Sequence, residues 1–288
     1  MKRHLLVLLA LWLSGARAEA HLNESSAIAR SQAMGGALVS LADGPAALFV
    51  NPAGIVASAN PALYLDYAEP AGISGGRESR VAFATGKGNT RGAIGWYRFG
   101  SESESNNLFA MSAAHRLIEG TQGSFLALGA SATVGGLSWK EADPGEKDSR
   151  WMASGDAGII LKPLPIVAFA YSAGNIRDAH SDQTRGEEAW RRVQRWGASY
   201  FWEDRIVLSF ATMRRAGRTT LHYGMAVKTA VPIELLAGFS DGRVTGGARW
   251  TGTRFGSSIA FAANEDEGVT WTLACEAYLP DRPDRETP

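Results

Sequence analysis

The chain has 288 residues, 45% hydrophobic and 20% charged, which excludes disorder and allows a substantial core. Twenty-nine basic residues balance 29 acidic ones, so no electrostatic footprint marks the chain for nucleic acid, and 33 glycines beside 11 prolines are too few for collagen or a low-complexity linker. A single cysteine, Cys275, rules out an internal disulfide and any multi-cysteine metal cluster.

The N-terminus reads as an export signal. Lys2 and Arg3 precede the apolar run from Leu5 to Leu13, and Ala16-Arg17-Ala18 then offers small residues to a signal peptidase. Cleavage is expected after Ala18, making residues 1–18 a signal peptide. The apolar run is far shorter than the roughly 20 residues a membrane helix needs. No other stretch is long and apolar enough for such a helix, which leaves a soluble exported protein or a transmembrane β-barrel.

Residues 19–61 form a segment unlike the rest. Gly35 and Gly36 permit backbone torsions closed to other residues, or close approach to a wall. Asp43 can cap a short helix with Pro45 in its first turn and Ala46 to Phe49 as its body. Asn51 precedes Pro52 and ends that helix, and Gly54 can turn the chain toward the first strand. On physics alone this is an ordinary capped helix leading into a strand, or a folded insert.

From residue 62 the pattern predicts fourteen strands, near 62–68, 79–87, 91–99, 107–115, 123–138, 151–161, 166–173, 191–202, 205–213, 219–229, 233–239, 244–251, 254–263 and 269–279. Period-two alternation is clearest late: Leu221, Tyr223, Met225 and Val227 face one way, His222, Gly224, Ala226 and Lys228 the other. Residues 269–279 repeat it, with Thr270, Thr272 and Glu276 opposite Val269, Trp271 and Leu273. In 91–99, Ile94 and Trp96 compete with Tyr97 and Phe99, and the faces stay unassigned.

Expected outer connectors are 69–78, 100–106, 139–150, 174–190, 214–218, 240–243 and 264–268, and the opposing turns are mostly two to four residues. Long and short alternate, except at 116–122. Alternation of this kind, an even strand count and strands of about ten residues tilted near 40° suit an up-and-down barrel spanning a bilayer. A secreted sandwich would also alternate along its strands but uses Greek-key crossovers. Trp196, Trp202, Trp250 and Trp271 stand near strand ends, where interfacial belts lie. The expected architecture is therefore all-β: residues 62–279 form an antiparallel outer-membrane barrel, and 280–288 a periplasmic C-terminal tail.

The block Met34-Gly35-Gly36-Ala37, Leu41-Ala42-Asp43 and Ala47-Leu48-Phe49-Val50-Asn51-Pro52-Ala53-Gly54 resembles the N-terminal signature of PorV/PorQ-like proteins, within the FadL-like superfamily of outer-membrane barrels. The resemblance implies fourteen strands and an N-terminal segment folded into the lumen as a hatch. Asn51, Pro52, Ala53 and Gly54 carry over as its Asn-Pro-Ala element, with Gly35, Gly36 and Asp43 as upstream hatch positions. Two features depart from the pattern: the chain is shorter than expected of PorV, and about nine residues follow Leu279.

Candidate lumen-facing residues are His222, Lys228, Arg249, Thr270, Thr272 and Glu276, with Thr245, as partners for the hatch backbone. No enzyme is expected: Ser112 and His115 are three apart and face opposite sides of a strand. The mixed charges of 139–150 and 174–190 read as solvated loops, and Glu265, Asp266 and Glu267 lack calcium-loop spacing. No metal or cofactor is expected. The expected function is binding or passage of a hydrophobic or amphiphilic small molecule, in contact with outer-membrane lipid. The alternative is a non-transporting adaptor that holds secreted protein cargo in type IX secretion.

Overall fold

A computed structural model describes residues 28–58, 61–102, 104–120, 123–140, 147–176, 192–203, 205–264 and 268–279. The expected signal peptide, the start of the hatch, the C-terminal tail, the acidic run 265–267 and most of the two charged loops lie outside these residues.

Fourteen strands follow one another around a closed antiparallel barrel. They are β1 Ala62–Glu69, β2 Arg77–Lys87, β3 Thr90–Gly100, β4 Glu104–Glu119, β5 Phe125–Lys140, β6 Lys147–Leu164 and β7 Val167–Gly174. The circuit continues with β8 Val193–Trp202, β9 Ile206–Arg215, β10 Arg218–Lys228, β11 Ile233–Ser240, β12 Arg243–Thr251, β13 Phe255–Asn264 and β14 Gly268–Tyr278. Each strand pairs with its sequence neighbours, and β1 closes on β14 in the register Leu65↔Cys275. No edge is left unpaired, which is how a sheet satisfies its backbone without water. No helix among the described residues is long and apolar enough to cross a membrane.

The connectors correct one expectation. The outer turns at 216–217 and 241–242 are only two residues long, Ala216-Gly217 and Asp241-Gly242, all four at positive φ. That is the backbone of the tightest hairpins, so the ladders run closer to these turns than the alternation of long and short connectors required. Conversely, β4 and β6 are longer than expected at both ends, because hydrogen-bonded pairing continues past the alternating apolar stretch, and β5 keeps its expected length but starts and ends two residues later.

Period two sorts the side chains. Large apolar residues point outward, such as Ile94 at 60% exposure, Met111, Leu208 and Leu273, while Gly, Ala, Ser and Thr line the lumen. In β3 the ambiguity resolves with Ala93, Gly95, Tyr97 and Phe99 inward and Ile94 and Trp96 outward. Both faces carry aromatics there because the inward pair lies beyond the hatch, where the lumen has room.

Within the expected hatch segment, 19–61, the main described stretch is residues 28–58. It begins with a one-turn helix, α1, at Ala29–Ala33, which the sequence reading missed, and ends in two 3-10 helices, Pro45–Phe49 and Pro52–Ala57. Its apolar residues, Met34, Leu38, Val39, Leu48 and Ile55 among them, form one buried cluster with wall alanines such as Ala82, Ala127, Ala226 and Ala260. The main hydrophobic core of this molecule is thus the filled lumen.

Two expected roles change. The first 3-10 helix is preceded by Gly44, with no side-chain cap, and Asp43 instead pairs with Arg30 at 2.8 Å. Gly54 does not turn the chain: it lies inside the second 3-10 helix, where a Cβ would overlap the carbonyl of Ala42.

Candidate functional site: the hatch and the lumen wall

Seven inward glycines make the socket for the hatch. Leu48 lies against Gly95, Pro52 and Ala53 against Gly129, Asn51 against Gly158, and Val39 against Gly197. On the other side Met34 lies against Gly224 and Gly238, and Ala33 against Gly247. At each of them a Cβ would come too close for an ordinary contact, so the wall recedes by one methyl group where the hatch touches it. The hatch touches every strand. α1 packs on β11 to β14, the first 3-10 helix on β1 to β4 and the second on β3 to β6. Hydrogen bonds from Ser172, Ser199, Ser209 and His222 join it to β7, β8, β9 and β10.

Asn51 is the central anchor. Its side chain is fully buried; Oδ1 accepts from the Ala53 amide at 3.1 Å, capping the second 3-10 helix. Nδ2 donates to Val39 O at 3.1 Å within the hatch and to Ile159 O at 3.3 Å on β6. One side chain therefore caps the second 3-10 helix and ties it both to the middle of the hatch and to the wall, with Pro52 at the first helical position, where its missing N–H costs nothing. Asn51→Ala should lower the unfolding free energy by about 1–3 kcal/mol, since it strips a cap and leaves buried groups unpartnered. Denaturant titration of the purified protein, read by protease access to the hatch, measures this.

Gly35 and Gly36, at φ +62° and +84°, press against β10 and β11. A Cβ on Gly35 would sit 2.7 Å from Phe239 N, and one on Gly36 2.6 Å from the His222 ring. His222 Nδ1 lies 2.7 Å from Gly35 O and 2.8 Å from Ser240 Oγ, while Nε2 lies 2.9 Å from Thr220 Oγ1. A carbonyl only accepts, so Nδ1 carries the proton and donates to Gly35. That nitrogen has no lone pair with which to activate Ser240, and its bond to Gly35 O ties His222 to the hatch. Ser112, whose hydroxyl donates to Ala130 O, and His115, which meets Thr90, stand apart on β4.

The other expected lumen residues divide. Thr245 donates to Ala33 O at 3.0 Å, and Thr272 bonds the Gln32 side chain. Gln32 also donates to Thr270 O at 3.1 Å, and the Thr270 hydroxyl accepts from Ala71 N in the first outer connector. Arg249 pairs with Glu276 at 3.0 Å. Lys228 shares their face by register but is exposed at the end of β10, opposite Glu234. Although burial pushes the Asp43 carboxyl up, the guanidinium groups of Arg30 and Arg249 hold it below the usual carboxylate range.

Three features were not legible in the sequence. The serine chain Ser40–Ser199–Ser209, with steps of 2.7 and 2.9 Å, ends on Ala37 O and ties the middle of the hatch to β8 and β9. A buried ion cluster on β1–β3 sets Arg80 between Glu78 at 2.8 Å and Asp66 at 3.4 Å, with Tyr64 donating to Asp66 and the guanidinium 4.6 Å from the Tyr97 ring. Beside that cluster, on the outer side of the first 3-10 helix, lies a cavity of about 120 Å³. Leu48 and Phe49 of the hatch form its floor, and its walls include Tyr97, Leu108, Val193 and Arg195.

No family model matches the sequence, and no curated protein matches it. Solved structures do. The toluene transporter TbuX of Ralstonia pickettii is 12% identical and superposes at a TM-score of 0.61 over 88% of this chain and 98% of that one. The toluene transporter TodX of Pseudomonas putida is 12% identical at 0.59, over 87% and 98%. A FadL homologue of Pseudomonas aeruginosa is 11% identical at 0.57, over 89% and 98%. At such identities the likeness is one of fold, a closed antiparallel barrel of fourteen strands in this chain.

Proposed function

We propose that this protein is an outer-membrane barrel that binds small hydrophobic molecules above its hatch and passes them inward when the hatch shifts. The observation that carries the reading is the cavity floored by Leu48 and Phe49, backed by a hatch in contact with all fourteen strands. A free aqueous channel is incompatible with such a plug, whereas a small apolar solute needs only a pocket and an intermittent path. The outward belt of Ile94, Met111, Leu208 and Leu273 suits lipid hydrocarbon. Trp196 and Trp271 toward the outer rim, and Trp202 and Trp250 toward the inner one, suit the two interfaces. The toluene-transporter names of the structural neighbours support the same class of solute. Cleavage after Ala18 and export to the outer membrane of a diderm bacterium belong to this reading, as does the absence of catalysis.

The purified protein in detergent should bind toluene, and Ala110→Phe, which fills the cavity from β4, should weaken that binding at least tenfold while heat-modifiable migration shows the barrel intact. Toluene binding unaffected by the filled cavity would reject the site. The likeness of Met34–Gly54 to PorV/PorQ-like proteins supports the second reading, a type IX secretion adaptor. In that case the hatch is a fixed plug, toluene does not bind, and secreted cargo co-purifies with the barrel.

A further inference from the structure

The cavity above the hatch is not lined like a pocket for a pure hydrocarbon. Tyr97 is 4% exposed, and its hydroxyl makes no hydrogen bond with any described residue. Asn106 Oδ1 and Ser154 Oγ share that condition, each one inward position nearer the outer loops than the cavity residues Leu108 and Asp156. These three are all the neutral side chains among the described residues whose buried polar atoms lack a partner, and they fall in one sector, β3 to β6. An unmet buried polar group costs the folded state unless something arrives to meet it.

Charge and size narrow what that is. Arg80 is already engaged by Glu78 and Asp66, and Asp156 accepts from Ser131 Oγ and Asn175 N. Asp156 and Arg195 flank Gly174 together, 3.3 and 3.7 Å from where its Cβ would stand. The lining itself carries one carboxylate, Asp156, and two guanidinium groups, Arg80 and Arg195, but Glu78 and Asp66 stand behind Arg80, so the surroundings hold no surplus of positive charge to draw in an anion. A space of about 120 Å³ is close to the volume of roughly 150 Å³ known to hold one benzene ring.

We propose that the preferred ligand is a neutral, single-ring molecule bearing one hydroxyl, and that Tyr97 is the residue that selects it. The ring lies on Leu48 and Phe49, and the hydroxyl exchanges a hydrogen bond with Tyr97 Oη. This rests on the binding site proposed above and goes further by choosing among its solutes.

The test uses the full-length protein in detergent and three probes of similar size: toluene, p-cresol and the anion p-toluate. The parent should bind p-cresol at least as tightly as toluene, although water holds p-cresol better, and should not bind p-toluate measurably. Tyr97→Phe keeps the ring under Arg80 and removes only a hydroxyl that no described residue meets, so the barrel should fold, and its toluene affinity serves as the reference against which p-cresol is read. The ratio of the p-cresol to the toluene dissociation constant should rise about tenfold in that variant. An unchanged ratio, or p-toluate binding as tightly as p-cresol, overturns the assignment of Tyr97 and of a neutral ligand while leaving the hydrophobic site in place. Failure of both toluene and p-cresol to bind the parent rejects the underlying site instead.

Discussion

Deleting residues 29–56 should leave a folded barrel that conducts ions in planar bilayers where the parent is closed. The strands carry their own hydrogen bonds around the whole circuit, β1 to β14 included, so none of the ladders depends on the insert. What the deletion removes is the filling. The segment supplies half of the residues of the main buried cluster and most of its large aliphatic side chains, and without it the lumen is lined mainly by glycine, alanine, serine and threonine, which water wets readily. The variant loses stability, because that cluster no longer forms, but a bilayer still holds the outward belt. Single-channel recording gives the result, and heat-modifiable migration separates a barrel that has not folded from one that has. A folded variant no leakier than the parent would mean that the segment does not occlude.

Gly129→Val should expel the hatch without deleting it. The Cβ would come within 2.6 Å of Pro52 O and overlap the adjoining Pro52–Ala53 peptide, which is backbone and cannot rotate away. Overpacking of a rigid contact costs about 1–3 kcal/mol, and here the cost falls on the joint between the two bodies. Valine is at home in a strand, so β5 keeps its pairing with β4 and β6. The expected outcome is a barrel of normal migration with a protease-sensitive N-terminal segment and a conductance approaching that of the deletion. Gly92→Ala, on the outward face of β3 with its nearest contact at 3.5 Å, should do neither. If Gly129→Val stays closed and resistant, the hatch accommodates the change, and its seat is softer than the geometry says.

The strands were legible because a barrel wall writes itself into the sequence at period two: Leu221, Tyr223 and Met225 against His222, Gly224 and Ala226 sort correctly with no knowledge of the rest. The two-residue turns at Ala216-Gly217 and Asp241-Gly242 escaped because ladder hydrogen bonds, which no side chain announces, decide where a strand stops. The hatch was visible as a motif and less so as a shape. α1 is a single turn whose polar Ser31 and Gln32 are buried beside its alanines, so it has no apolar periodicity to read. Asp43 carries the composition of a cap but finds Arg30, thirteen residues away, a stronger partner.

What the sequence by itself determined is the circuit of fourteen strands and the inner and outer faces of the late ones, because these follow from local periodicity, while the hatch positions came from a family resemblance. The tertiary structure alone decided which wall position meets which hatch atom. The glycine seats, the serine chain, the Arg80 ion cluster and the cavity beside Tyr97 each draw on strands far apart in the chain, and only barrel closure and strand register bring them together. A shift of one residue in the ladders of β3 or β5 would turn Tyr97 or Gly129 to the outer face of the barrel, and nothing local to either residue encodes that choice.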